Sequence, residues 1–103
     1  MFFLTLASPI LENIVYNSNA IKLNSNISET GDAWHIDLIF NNKCVCYTVY
    51  NCTTSSARRY KLCITEIDER ERTPHLKKRI DIYNISNLEN LFNEVKKASL
   101  IFN

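Results

Sequence analysis

The chain contains a single glycine, Gly31, among its 103 residues. Loops that bind phosphate groups use several glycines, because only glycine lets the backbone turn sharply and come close to an anion. A phosphate-binding loop, a dinucleotide fingerprint and the nucleophile elbow of hydrolases are therefore all missing. No other catalytic signature replaces them, and we expect no cofactor and no enzymatic activity.

The length and net charge of the chain limit the number of domains and the classes of binding partner that we expect. A chain of 103 residues is expected to form one domain, residues 1–103, and its apolar fraction of 46% is ordinary for a folded protein. The formal net charge of +1 gives no broad field that would attract nucleic acid or an anionic membrane. These numbers disfavour nucleic-acid binding as the main role without excluding a local basic patch.

The beginning of the chain is apolar, but it does not resemble a targeting segment. Residues 1–7 lack the basic region of a signal peptide, and Ser8-Pro9 interrupts them early. No apolar run approaches the roughly 20 residues that a membrane span needs. We therefore expect a cytoplasmic protein with no membrane partner.

The expected redox state of the cysteines follows from the predicted cytoplasmic location. Without a secretory signal, Cys44, Cys46, Cys52 and Cys63 are expected to be reduced thiols, and two cysteines on one strand are poorly placed to pair with each other.

Thiol titration checks this expectation. The unfolded, non-reduced protein should contain four reactive thiols, because a reducing compartment leaves no disulfide to protect any of them. Finding two thiols, or none, would contradict the cytoplasmic assignment.

Two segments have the pattern of helices. Ser8 followed by Pro9 is typical of a cap and first helical residue, so we predict a short helix from there to about Tyr16, preceded over residues 1–6 by a strand or an earlier helical turn. Residues 86–89 read Ser-Asn-Leu-Glu, which is a capping box, and an amphipathic helix is predicted from it to about Leu100.

Between these helices, alternating apolar residues predict about five strands. They cover residues 21–27, 34–40, 43–50, 59–67 and 76–83, with turns at 29–32 and 41–42 and a charged connection at 68–74. The predicted fold class is α+β, a single domain in which the antiparallel sheet carries a short N-terminal helix and a C-terminal amphipathic helix packed on it.

The second and third strands allow a prediction of register. If Asn41-Asn42 is a two-residue turn, apolar residues face one another on one side of the hairpin. The predicted pairs are Trp34 with Val49, Ile36 with Tyr47 and Leu38 with Val45. A three-residue loop would instead place Leu38 against Cys46, and such a slip turns the apolar set to the wrong face. Trp34 is expected to be buried between this hairpin and the C-terminal helix, against Phe92 or Val95.

The opposite side of the hairpin collects groups that could bind a metal ion. His35, Asp37, Cys44 and Cys46 are all residue types that bind zinc. However, Cys-x-Cys on a strand is not the Cys-x₂-Cys knuckle of structural zinc sites, and buried cysteine also serves as a small apolar residue. We therefore predict no metal site here.

Two further functions remain open at this level. A small RNA- or DNA-binding domain could use the basic clusters at Arg58, Arg59, Lys77, Lys78 and Arg79, with Tyr60 and Tyr83 stacking on bases. A metal-independent nuclease could use His35 and His75 as acid and base, provided that the fold brings them together.

The leading hypothesis is a protein that acts by binding another protein. Small α+β chains without cofactor or catalytic motifs often act in this way, and toxin-neutralising immunity proteins and antitoxins are examples. The first candidate surface is the charge-dense segment Asp68, Glu69, Arg70, Glu71 and Arg72, because arginines and carboxylates give directional contacts. The second is the sheet face that carries His35, Asp37 and Thr48.

Overall fold

The five predicted strands form one antiparallel sheet in the order in which they occur along the chain. The computed structural model describes residues 3–16, 21–40, 43–52, 59–68 and 75–102. The elements are α1 (Phe3–Val15), β1 (Ile21–Ile27), β2 (Ala33–Phe40), β3 (Lys43–Asn51), β4 (Tyr60–Asp68), β5 (His75–Ile85) and α2 (Leu88–Phe102). The predicted α+β architecture, with a helix at each end of the sheet segment, is confirmed.

Both helices lie on the same face of the sheet. The backbone of α1 contacts β1 and β2, that of α2 contacts β4 and β5, and the two helices pack against each other. Every second residue of the central strands is buried beneath them, because side chains alternate between the two faces of a strand. The buried residues of β2, β3 and β4 are Trp34, Ile36, Leu38, Val45, Tyr47, Val49, Tyr60, Leu62 and Ile64. The hydroxyl groups of Tyr47 and Ser99 lie 3.3 Å apart and connect the middle strand to α2.

The predicted register of the β2–β3 hairpin is confirmed. Trp34 pairs with Val49, Ile36 with Tyr47 and Leu38 with Val45. These six side chains are fully buried, which explains why the register is fixed: a slip by one residue would turn the three apolar residues of one strand away from the core. The turn residues themselves, Asn41-Asn42, lie outside the described part of the chain.

The glycine is used where the backbone needs it. Gly31 has a φ of 73° in the turn between β1 and β2, a value that glycine adopts without steric cost. Around it, the hydroxyls of Ser28 and Thr30 donate hydrogen bonds of 2.7 and 2.6 Å to Asp32 Oδ1. The Ser28 Oγ also accepts hydrogen bonds from two backbone amides, so this predicted turn is tied together by its own side chains.

β1 does not follow the simple alternation that its sequence indicates. A bulge places Leu23 as an extra residue between the pairs Lys22–Leu38 and Asn24–Asp37. Leu23 itself is 52% exposed at the bulge. The extra residue also reverses the faces of the residues before it, so Ile21 is 64% exposed rather than directed into the core. Only the second half of the strand follows the predicted pattern.

α1 begins at Phe3 and Pro9 lies inside it, so Ser8-Pro9 is not the start of the first helix. Of the two alternatives predicted for the segment before Ser8, the structure has the earlier helical turn. Proline has no N–H, so it cannot donate the hydrogen bond that the Thr5 carbonyl would receive in a regular helix. The hydroxyl of Ser8 lies 3.3 Å from the Thr5 carbonyl oxygen and donates to it instead. Leu4 and Ala7 from this earlier part of the helix are buried in the core, which offsets the cost of the proline.

The second helix starts one residue later than the predicted capping box. The side chain of Asn87, not that of Ser86, accepts a hydrogen bond of 2.8 Å from the backbone amide of Asn90. Asn87 is therefore the N-cap, and Asn is as effective as Ser in that position. At 15 residues α2 is the longer of the two helices, and no helix in the described ranges has the length and apolarity to cross a bilayer.

The burial of Trp34 gives a stability prediction. Its side chain is fully buried, and the strand that carries it is contacted by the backbone of α1. Trp34→Ala should lower the free energy of unfolding by about 3–5 kcal/mol, because it leaves a large cavity. Tyr50→Ala, at an exposed aromatic residue of β3, is the control and should cost much less. Chemical denaturation measures both, and a loss below about 1 kcal/mol for Trp34→Ala would contradict the packing described above.

Candidate functional site

The face of the sheet opposite the helices carries the polar groups of the central strands. Its side chains alternate with the core residues, and nothing in the described part of the chain packs over them. We call it the open face, and its central residues are His35, Asp37, Cys44, Cys46, Thr48, Tyr50, Lys61, Cys63, Thr65, Arg79, Asp81 and Tyr83. It includes the sheet face that the sequence offers as the second candidate surface.

His35 is held between two neighbours on the open face. Its Nε2 lies 2.7 Å from Asp37 Oδ1, and its Nδ1 lies 2.9 Å from the Thr48 hydroxyl. A carboxylate only accepts hydrogen bonds, so the Nε2–H of His35 donates to Asp37. The structure thus brings together the three residues that define this candidate surface, and they fix one another in place.

Asp37 also touches a cysteine. Burial raises the pKa of the Cys46 thiol well above its usual value, and a hydrogen bond to Asp37 raises it further. The thiolate is the nucleophilic form of cysteine, so a thiol held protonated in this way is a poor nucleophile. This arrangement disfavours a role for Cys46 in covalent catalysis with His35 as base.

A second carboxylate lies further across the sheet. Asp81 accepts a hydrogen bond of 3.1 Å from Arg79 Nε, and it lies against Cys63. The hydrogen bond from Cys63, and then that from Arg79, lower the pKa of Asp81 below its usual value. Each of these two open-face carboxylates is therefore bound by its own neighbours.

The exposed aromatic residues of the open face surround a lysine. The ammonium of Lys61 lies 4.8 Å from the centre of the Tyr83 ring and 5.9 Å from that of Tyr50. A hydrogen bond with Tyr83 raises the pKa of Lys61, which keeps the ammonium charged. We call these three residues the Lys61 clamp. Tyr50 and Lys61 also line a depression at this end of the sheet, together with Asp32, Ala33, Asn51 and Cys52.

The two histidines are far apart. The backbone of His75 pairs with Asp68 at one end of β5, whereas the row that begins at His35 crosses the sheet to Asp81, six positions further along that strand. The spacing of residues and strands then separates the two histidine backbones by more than about 20 Å. The predicted acid–base pair of His35 and His75 is therefore not formed within one chain.

The basic clusters do not merge into one patch either. β4 and β5 are neighbours but antiparallel, so Arg59 lies at one end of the sheet and Lys77–Arg79 at the other. A bulge at Lys77 also divides the second cluster: Lys78 lies on the helix side opposite Glu66, while Arg79 lies on the open face. Tyr60 is fully buried and cannot stack on a base, whereas Tyr83 is exposed.

The structure does not describe most of the charge-dense segment, and it shows no metal-binding group within its described part. The segment Glu69–Arg72 and Arg58 lie outside the described residues, and Asp68 is described only as the end of β4. Among the residues that the structure does describe, no group of three or more His, Cys, Asp and Glu side chains is arranged to hold a metal ion.

Comparison with protein-family models, with curated proteins and with solved structures finds no match to this chain.

The sequence does not reveal the Lys61 clamp. It depends on pairing Lys61 with Tyr50 across β3 and β4, and on the bulge near Asn84, which has a φ of 61° and returns Ile85 to the core. The usable signal is the alternation Tyr60, Leu62, Ile64, which already directs Tyr60 inward and Lys61 outward.

The bonds to Asp81 predict an acid-dependent loss of stability. Its pKa is lower in the folded than in the unfolded protein, so its contribution is present above the unfolded value, near pH 3.9, and disappears as the pH falls through the folded value. The wild type should therefore be more stable than Asp81→Asn at pH 7, and this difference should shrink below about pH 4. Urea unfolding at several pH values measures it. A difference that is the same at pH 7 and at pH 2.5 would contradict the linkage.

Proposed function

We propose that this chain is a non-enzymatic protein-binding module, an inhibitor of the kind represented by toxin-neutralising immunity proteins and antitoxins, and that it acts in the cytoplasm. We further propose that its partner binds to the open face of the sheet. The observation that carries this proposal is the Lys61 clamp, in which a charged ammonium and two exposed tyrosines stand on adjacent strands of a rigid sheet.

The composition of the clamp suits protein recognition. Tyrosine is among the residue types enriched at the energetic centres of protein interfaces, because its ring buries apolar area while its hydroxyl keeps a hydrogen-bond partner. Tyr50 and Tyr83 are 44% and 57% exposed, so both have area left to bury. Lys61 offers the charge that a carboxylate of the partner would neutralise.

The charges around the clamp favour a protein over a nucleic acid. Asp37 and Asp81 lie on the same face, and Asp32 lines the depression beside Lys61. Hydrogen bonds from Thr30 and Ser28 lower the pKa of Asp32, so it stays ionised. A nucleic-acid strand carries a negative charge on every phosphate and would pass these carboxylates, whereas a protein surface can place one carboxylate at Lys61 alone.

One series of experiments can identify the partner and test whether it binds the open face. The tagged chain is expressed at its natural level in its source cells, co-purifying proteins are identified, and the complex is rebuilt from purified components. The double variant Lys61→Glu with Tyr83→Ala should weaken binding at least about tenfold, because residues of this type dominate interface energies. Calorimetry on the rebuilt complex measures the change.

The chain offers a matched control. Lys22 lies 5.7 Å from the ring centre of Tyr16, which is the same kind of lysine–tyrosine pair on another part of the surface. Lys22→Glu with Tyr16→Ala should leave binding unchanged, and thermal melting should show that both double variants fold.

A third double variant separates the two candidate surfaces. Arg70→Ala with Arg72→Ala changes the segment between β4, which ends at Asp68, and β5, which begins at His75. These two strand ends pair with each other at the end of the sheet opposite the clamp. If this variant weakens binding and the clamp variant does not, the partner binds the charged connection, and the proposal for the open face is wrong. Binding of single-stranded DNA that is lost in the clamp variant would instead favour the nucleic-acid alternative.

A further inference from the structure

Two thiols on the open face lie in contact. Cys44 and Cys46 are separated by one residue on β3, so their side chains point to the same side of the sheet. Their sulfur atoms are 3.9 Å apart, and all four cysteines of the chain carry thiols rather than disulfides. Both residues are half-buried.

We propose, against the sequence-based prediction of no metal site, that Cys44 and Cys46 bind one soft monovalent cation of the Cu(I) type between their sulfur atoms. Thiolates are the protein ligands that select such ions. A bond from a thiolate to a closed-shell ion is about 2.3 Å long, as with zinc, so two sulfurs up to about 4.6 Å apart can share one ion. Two-coordinate Cu(I) favours a nearly linear arrangement, so binding requires the two sulfur atoms to move apart from 3.9 Å toward that limit by rotation of their side chains.

The number of ligands favours Cu(I) over zinc. Structural zinc is almost always bound by four ligands, whereas Cu(I) is satisfied by two thiolates. In the described ranges no third His, Cys, Asp or Glu joins a group that could complete a zinc site. Asp37 stands next to Cys46 and is itself held by His35, so a fixed negative charge lies beside the pair and attracts a cation.

Binding exchanges protons for the metal ion. Two S–H bonds break, two protons pass to solvent, and two sulfur–metal bonds form, with no change in oxidation state. The affinity should increase with pH, because metal ions compete with protons for thiol ligands.

A competition titration tests the site. Cu(I), supplied as its acetonitrile complex, is added without oxygen to the reduced protein in the presence of the chromophoric chelator bicinchoninate. One ion should bind per chain, and more tightly at about pH 8 than at about pH 6. Cys44→Ser and Cys46→Ser should each weaken binding by about 100-fold or more, because each removes one of the two ligands.

The other two cysteines supply controls. Cys52 is exposed at the end of β3, and Cys63 lies on the neighbouring strand against Asp81. Cys52→Ser and Cys63→Ser should bind Cu(I) as the wild type does. X-ray absorption at the copper edge should show two sulfur ligands, a measurement on the unaltered protein that does not depend on how well the variants fold.

Several outcomes would overturn the proposal. Equal binding by the wild type and Cys46→Ser would place the ion elsewhere, as would loss of binding in Cys52→Ser. Zinc binding as tight as Cu(I) binding would show that the site does not select a soft monovalent cation. A copper shell that contains oxygen or nitrogen would show that the ion is not held by the two sulfurs alone. The titration needs no protein partner, so its result is independent of the proposed inhibitor function.

Discussion

The pairing of β2 with β3 is the constraint on which the rest of the molecule depends. This register buries Trp34, Ile36 and Leu38 against Val49, Tyr47 and Val45. The residues that alternate with them must then face the opposite side of the sheet. His35, Asp37, Cys46 and Thr48 therefore lie on the open face because the apolar residues are buried, not because of any preference of their own. The same alternation that builds the core also determines the composition of the candidate site.

Once placed there, the polar groups of the open face stabilise one another. Asp37 is bound by His35 and Cys46, and Asp81 by Arg79 and Cys63. Side chains fixed in this way lose little conformational freedom when a partner arrives, and this loss is a main cost of association. For the proposed binding of a protein partner, the open face is thus organised in advance, and the clamp around Lys61 is the part of it that offers both charge and apolar area.

The sequence was sufficient where local rules and burial agree. The five strands, both helices and the register of the short hairpin followed from alternation, helical spacing and turn length. The bulges at Leu23, Lys77 and Asn84 could not be predicted, because an extra residue in a strand is chosen by the pairing across it. The early start of α1 was hidden for a similar reason: the rule that places proline in the first turn is overridden when residues before it bury apolar area and Ser8 satisfies the carbonyl left without a donor.

Only part of the candidate site could likewise be predicted from the sequence. The meeting of His35, Asp37 and Thr48 needed only the register of the β2–β3 hairpin, which the burial of its apolar pairs fixes. The Lys61 clamp and the separation of the basic clusters needed the registers of β3 with β4 and of β4 with β5, whose longer connections do not determine them. The distance between the two histidines belongs to this second group, since it follows only from the complete strand order.

The bond between Tyr47 and Ser99 joins residues 52 positions apart, while every strand pairs with its neighbour in sequence. In the described ranges neither helix has a backbone ladder to the sheet, and α2 is held by apolar packing and by the bond between Tyr47 and Ser99. The helical layer can therefore open while the strands stay paired, which brings water to the buried side chains of the middle strands before any strand is released.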